Sequence, residues 1–276
     1  VRYLVINSDD FGLTPAVSRG ILDGHAAGVI TSTSVMVTTP GWEDARARLR
    51  DSSIDIGLHL NLGLGRPLTA ARTLVNPKTG QFAGAAGLSL WALGLRIDPD
   101  DVAAECRAQL ELLRSAGRPV THLDSHWHLH ALPGIWASVL AVARKEGVPW
   151  LRSPRVPRRQ QIIRAMFPFT LLGVASLWRR SNHPRFADHF TGYGMSGARE
   201  YEQGVLERLD DIQPGVTEFM VHAGYDEPAI AALDSYTWER ERELAALVSP
   251  SVKARLAKGD LTLTHFGALD AGIFPA

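Results

Sequence analysis

Short apolar runs alternate with helix-like segments through the first 150 residues. Tyr3 to Asn7 is an apolar run that reads as a strand. Thr14 to Ala27 reads as a helix, with Thr14 as its N-cap and Pro15 at its first position. Val29 to Thr38 is rich in β-branched residues and predicts a second strand, Gly41 to Arg50 a helix, and Ile54 to Leu60 a third strand. Residues 61–97 carry many Gly, Pro and Ala without clear periodicity. They predict a long excursion, and loops of such length are usually functional. Asp98 to Ser115 predicts a helix, acidic at its start and with Arg114 near its end, as the macrodipole favours. Val120 to Asp124, Ile135 to Glu146 and Pro149 to Arg152 continue as strand, helix and strand.

Beyond this point the pattern is less regular. Residues 153–180 are basic and read as helical in part, with 153–198 as a whole forming a basic and apolar excursion. Within it, Met166 to Trp178 is the most apolar stretch, interrupted by Pro168, and reads as a buried or an interfacial helix. Residues 181–198 read as a loop with a short strand near Phe186 to His189. A helix near Arg199 to Asp211, a strand from Val216 to His222, helices between Thr237 and Lys258 and a last strand from Leu261 to His265 complete the chain. Such alternation implies an α/β fold of parallel strands joined by helical crossovers, either a barrel or a doubly wound sheet, here as one domain over residues 1–276.

Polar residues at the strand ends favour the barrel. Asp9-Asp10 follows the first strand and His59 ends the third. A histidine cluster ends the next, and His222 and His265 end two later strands. A β/α barrel assembles its site at the C-terminal ends of several strands, whereas an open sheet draws on fewer. The expectation is an irregular, TIM-like β/α barrel.

The cluster is Thr121-His122-Leu123-Asp124-Ser125-His126-Trp127-His128-Leu129-His130, with four histidines and an aspartate at every second position. In extended backbone alternate residues share a face, so all five polar groups are expected to converge and to suit a transition metal. A polar surface strand is the plainer alternative. Asp9 and Asp10, being adjacent, are expected to diverge, one toward a metal and the other toward a water or substrate. Asp-Asp pairs also cap turns, and Phe11-Gly12 suggests one. His59 suits either a hydrogen-bonded core histidine or a ligand, and Gly57 permits a close approach beside it.

Composition narrows the classes. The chain has 276 residues, 45% hydrophobic and 21% charged, values ordinary for a globular protein with a sizeable core. Lys+Arg and Asp+Glu balance at 29 each, which gives no argument for nucleic-acid binding. The single cysteine, Cys106, excludes an intrachain disulfide and a multi-cysteine zinc site, and it falls where helix packing is expected. No run approaches the roughly 18 apolar residues of a membrane span. The expected location is cytoplasmic, with a peripheral membrane association as the alternative.

Taken together, Asn7-Ser8-Asp9-Asp10-Phe11-Gly12-Leu13, Gly28-Val29-Ile30-Thr31-Ser32-Thr33-Ser34, Gly57-Leu58-His59-Leu60 and Thr121 to His128 resemble the YdjC-like carbohydrate deacetylases. That family includes chitooligosaccharide deacetylases and hopanoid-biosynthesis deacetylases. The resemblance covers the first 150 residues in motif order and spacing, then thins to Glu218-Phe219-Met220-Val221-His222. It implies an irregular β/α barrel that hydrolyses the N-acetyl group of amino sugars with one divalent metal. By the same resemblance Asp10, His59 and His126 are the metal ligands, Asp9 the general base and His222 the general acid. Arg66-Pro67-Leu68 matches a loop lining the substrate cleft.

Amide hydrolysis gives that assignment a physical basis. It needs a nucleophile at neutral pH, a stabilised oxyanion and a protonated leaving amine. A three-ligand metal with an open position lowers the pKa of bound water toward about 7, and an imidazole suits the amine. Asp124, His128, Arg66 and His265 are then expected to fix ligand orientation or contact substrate, while His122 and His130 could equally be structural. Zn is the first expectation for this donor set, with Mg, Mn, Co or Ni as alternatives. Arg155, Arg158, Arg159, Arg164, Arg179, Arg180 and Arg185 form either a solvated basic face or a contact for an anionic lipid surface or lipid-linked substrate. A homo-oligomer is left open. Competing readings are a metal-dependent phosphoesterase or amidohydrolase on a similar barrel, and a non-catalytic carbohydrate-binding protein.

Overall fold

The computed structural model describes residues 1–154, 183–193, 195 and 200–272. The helix expected within 153–180, the apolar run Met166 to Trp178 and the arginines from Arg155 to Arg180 lie outside them. The chain divides into two compact units, one of Val1–Val35, Pro40–Ile56 and Ala187–Ala276, the other of Met36–Thr39 and Gly57–Phe186.

The first unit is built around β1 (Arg2–Phe11), whose Leu4, Val5 and Ile6 are buried as in a parallel strand covered on both faces. Strand β1 continues through Asp9-Asp10, where the sequence had suggested that it stops at Asn7. Helix α1 (Pro15–Ala26) begins as expected, with Thr14 Oγ1 accepting from the Val17 N–H and Pro15 at the first position. Strand β2 (Ser32–Val35) is shorter than the β-branched run, and α2 (Trp42–Leu49) follows it. The later residues add β6 (His189–Thr191), α6 (Tyr201–Asp210), β7 (Gly215–Val221), α7 (Glu239–Leu247), α8 (Pro250–Leu256), β8 (Thr262–Leu263) and α9 (Phe266–Asp270). Strand β7 pairs with β1 in parallel from Arg2 to Ser8, and β6 pairs with β7. Strand β8 meets β1 at Tyr3 and Leu4, below the point where β2 joins at Asn7. Gly20 on α1 lies against the backbone of Gly224, just past β7; a Cβ there would come within 2.7 Å of it.

The second unit takes up β3 (Asp55–Leu60) from Gly57 onward and adds α3 (Gly84–Leu93), α4 (Pro99–Arg114), β4 (His122–Ser125), α5 (Trp136–Lys145) and β5 (Trp150–Leu151). The excursion over 61–97 therefore contains a helix that its sequence did not announce. It is fastened to one face of α4. Asp101 accepts from the Thr73 N–H and hydroxyl, both at 2.7 Å. Glu105 accepts from the N–H groups of Leu68 and Thr69 at 3.1 and 3.0 Å. Gln109 accepts from the Asn61 N–H at 2.9 Å and donates to its carbonyl at 2.7 Å. Positions four apart share a helix face, so these three side chains form one row. Glu105 and Gln109 are fully buried, and these bonds satisfy them. Cys106, also on α4, is buried with its thiol pushed up to about 12 by that burial, which fits packing and not nucleophilic use.

Within the first unit the strand order is β2-β1-β7-β6, with β8 on β1, and within the second it is β5-β4-β3. The pairings given are all parallel. This is the α/β class expected of an irregular β/α barrel. Among the described residues, no helix is long and apolar enough to cross a membrane.

Candidate active site

In the first unit the chemistry starts at an irregularity in β1. The β1–β2 register shifts between Ser8 and Phe11, and within that interval Asp10 takes a left-handed backbone with φ 71°. A bulge of this kind re-aims side chains. The divergence of Asp9 and Asp10 was expected from extended backbone, which Asp10 does not have, yet the two carboxylates do meet different partners. Both are buried. Asp9 Oδ1 accepts from Asn7 Nδ2 at 3.0 Å, and the same amide donates to Ser34 Oγ at 2.9 Å. Asp10 Oδ2 accepts from the guanidinium of Arg240, on α7, at 2.8 Å.

His222 lies one residue past β7 and is half-buried. Its backbone N–H donates to Glu243 Oε2 at 2.5 Å, and its ring meets Tyr236 edge-on at 5.5 Å between centroids. The Tyr236 hydroxyl donates to the other oxygen of Glu243. His265 is placed differently from the other strand-end residues. It caps α9, Nδ1 accepting from the Ala268 N–H at 3.2 Å, and the same nitrogen lies 3.4 Å from Asp55 at the start of β3. The hydrogen bond to Asp55 raises its pKa against partial burial. The expected last strand is reduced to two residues and ends before it.

In the second unit the β3–β4 ladder makes the arrangement. Its register sets His59 opposite Asp124 and Gly57 opposite His122. His59 Nδ1 lies 2.7 Å from Asp124 Oδ1, and Asp124 Oδ2 lies 2.6 Å from Arg152, which follows β5. Burial alone would raise the Asp124 carboxyl. The Arg152 guanidinium and then His59 overrule it, holding the group far below the usual carboxylate range. Gly57 makes room for the His122 ring, since a Cβ there would lie 2.3 Å from it.

The histidine run does not stay extended. Strand β4 ends at Ser125, and His126–Ala131 coil into a 3-10 turn in which Trp127 and His128 both take left-handed backbone at φ 54°. The expected convergence of all five polar groups on one strand face is thereby corrected, because strand alternation governs only His122 and Asp124. The His126 ring lies 5.6 Å from that of His59, nearly perpendicular to it. His128 is buried and kept well below its usual pKa, by burial first and then by the charges of Arg152 and His130. Both ring nitrogens of His130 have partners within the second unit. Its Nδ1 meets Ser125 Oγ at 2.6 Å, its Nε2 meets the Arg152 carbonyl at 3.1 Å, and burial lowers it to about 4. Arg66 sits on the excursion beside Gly80, while Leu68 two residues on is tied to Glu105.

Asp10 is buried in the first unit, and His59 and His126 are buried in the second; carboxylate and imidazole are donor types that suit a metal ion such as zinc. The fit is tested at His59. Its Nδ1 is engaged by a carboxylate, which is how protein imidazoles are oriented to ligate through Nε2. Two buried arginines that meet these carboxylates, Arg152 and Arg240, carry no mark in the sequence. Nothing local marks Arg152, and Arg240 stands in Glu239-Arg240-Glu241-Arg242-Glu243, which reads as a solvated charged helix.

The model of the family described as YdjC-like protein matches residues 3–258. The chain belongs to this family. Among its relatives, a carbohydrate deacetylase of Geobacillus stearothermophilus is 32% identical over 96% of this chain and 97% of its own. A carbohydrate deacetylase of Homo sapiens is 32% identical over 97% of this chain and 91% of its own. A chitooligosaccharide deacetylase of Yersinia pestis is 32% identical over 96% and 98%. A crystal structure from Enterococcus faecalis, titled a "putative cellobiose-phosphate cleavage protein", superposes with a TM-score of 0.78 at 26% identity, covering 97% of this chain and 98% of that one.

Proposed function

We propose that this protein is a divalent-metal-dependent hydrolase that removes the N-acetyl group from an N-acetylated amino sugar, in an oligosaccharide or glycoconjugate. Relatives named carbohydrate and chitooligosaccharide deacetylases over nearly their whole length support the reaction class. The observation that carries the metal is the buried His59–Asp124–Arg152 chain, at 2.7 and 2.6 Å, which fixes an imidazole in the orientation a ligand needs.

In this reading Asp10, His59 and His126 hold the ion, zinc first by donor type. When bound, it supplies Lewis acidity, bringing the pKa of a water toward about 7 and stabilising charge on the amide oxygen. Asp9, steadied by Asn7, accepts the proton of the attacking water. The water oxygen bonds to the acetyl carbon, the carbon–nitrogen bond breaks, and His222 delivers a proton to the departing amine nitrogen. Acetate and a free amino sugar result. Asp124 holds His59, and His128, kept neutral, is suited to hydrogen bonding without carrying charge. Arg66 and Trp127, the latter 38% exposed beside His126, serve as substrate contacts.

The test is acetate release from a panel running from N-acetylglucosamine through short oligomers to a lipid-linked sugar, before and after chelation and metal return. Release that disappears with chelator and returns with zinc is expected. A fully metal-loaded protein that releases no acetate from any member would refute the deacetylase reading.

A further inference from the structure

Arg240 is the largest fully buried side chain in the described structure, and the proposed mechanism gives it nothing to do. Burying a guanidinium is unfavourable unless its charge and donors are matched. Here Nη2 donates to Asp10 Oδ2 at 2.8 Å and to Asp234 Oδ2 at 2.9 Å, and Nε donates to the Tyr236 carbonyl at 2.9 Å. Burial works against the charge, and Asp10 and Asp234 more than offset it. Asp234 and the Tyr236 carbonyl come from the segment that leads into α7. Asp10 is the exception, lying 230 residues away in the chain.

Asp10 needs such a partner. It sits at a bulge, in left-handed backbone and beside a second buried carboxylate, so the strand ladder does not fix its side chain. A guanidinium anchored on its own segment can. We propose that Arg240 is a positioning residue for metal binding: by holding Asp10 Oδ2, it presents Oδ1 as a single, oriented ligand atom. The assignment rests on the reading of Asp10, His59 and His126 as the metal ligands. Tyr236 in the same segment and Glu243 within α7 support His222, so one helix and its lead-in brace groups of both proposed roles.

The test is the zinc dissociation constant, measured by competition with a chromophoric chelator, together with the melting temperature of each apo-protein. Outer-shell partners of metal ligands typically contribute about 10–100-fold to affinity. Arg240→Gln is expected to weaken zinc binding by about that range, and Arg240→Lys, which keeps the charge but not the fork of donors, by about tenfold. Asp234→Asn loosens Arg240 without touching Asp10. It is expected to weaken binding by roughly three- to tenfold, and it supplies the answer if the Arg240 variants do not fold. A purely structural Arg240 would lower melting temperature and leave the dissociation constant of folded protein unchanged. A purely electrostatic one would tighten zinc binding once its positive charge is gone. Either result overturns the inference.

His59→Ala, run in parallel, separates the two levels. Its loss of zinc binding, with unchanged affinity in folded Arg240 and Asp234 variants, would refute only the positioning role. Wild-type protein that binds no zinc would refute the metal reading and this inference together.

Discussion

Asp10 and His59 carry the same proposed duty and are held by opposite means. His59 stands in an unbroken parallel ladder, and its partner Asp124 is the residue directly opposite on the next strand. Register alone brings them to 2.7 Å. Asp10 stands where the ladder breaks, in a backbone conformation that costs about 1–3 kcal/mol. It draws its partner from the far end of the chain. Regular structure positions a side chain through its neighbours. An irregularity aims one where no strand would, and then needs a separate brace.

Breaking the proton acceptor on the irregular side should have the largest effect. Asp9→Asn is expected to lower turnover by about 10²–10⁴-fold, the usual contribution of a general base, while zinc affinity stays near wild type. Unchanged turnover would remove Asp9 from the chemistry. On the regular side, Asp124→Asn should weaken zinc binding by about 10–100-fold, with turnover falling alongside. It should also destabilise the fold by about 3–5 kcal/mol, since Arg152 keeps its buried charge and loses its carboxylate. Denaturant melts with zinc titrations would show both, and a stable variant of normal affinity would contradict the ladder argument.

The ladder has a steric side as well. Gly57→Ala drives a methyl into the His122 ring and should cost about 1–3 kcal/mol. Adding His122→Ala should recover much of that loss; two additive losses would mean that the ring is not the obstacle.

The smallest effect concerns His265 and Asp55. The folded pKa of His265 is raised, so its ion pair contributes fully below the unfolded value of about 6.5 and fades as pH rises through the folded value. His265 Nδ1 cannot donate to Asp55 and accept from Ala268 at once, so the neutral form caps α9 instead. Asp55→Asn should therefore cost more stability at pH 5.5 than at pH 8.5. With His265 half exposed, the difference should stay under about 1 kcal/mol. A cost independent of pH would mean that Asp55 acts through contacts other than His265, the bond from Ser32 among them.

Much of this could be read from the sequence, for reasons that also explain what could not. Alternating strands and helices follow from hydrophobic periodicity, and Thr14-Pro15 or Asp98-Pro99 mark helix starts by local chemistry. Helix α3 escaped because Gly84–Leu93 is apolar on all sides and opens on glycine, leaving no polar face to reveal a period. The histidine run misled because alternation presumes extended backbone, and the left-handed residues Trp127 and His128 are not glycines. Asp9, Asp10, His59 and His126 could be singled out by motif. Arg152 and Arg240 could not, since a buried arginine and a solvated one look alike until the carboxylates they meet are known.

The row Asp101, Glu105 and Gln109 on α4 works like a rail with three pegs. The chain from Asn61 to Thr73 hangs on it by backbone bonds and by the hydroxyls of Thr69 and Thr73, so the residues between the pegs whose side chains take no part can change identity without loosening the attachment. Beyond Thr73, the stretch through α3 can lengthen at small entropic cost, because closing a longer loop adds little. A scaffold of this design can present new surfaces to new sugars while Asn61, two residues after His59, stays where it is.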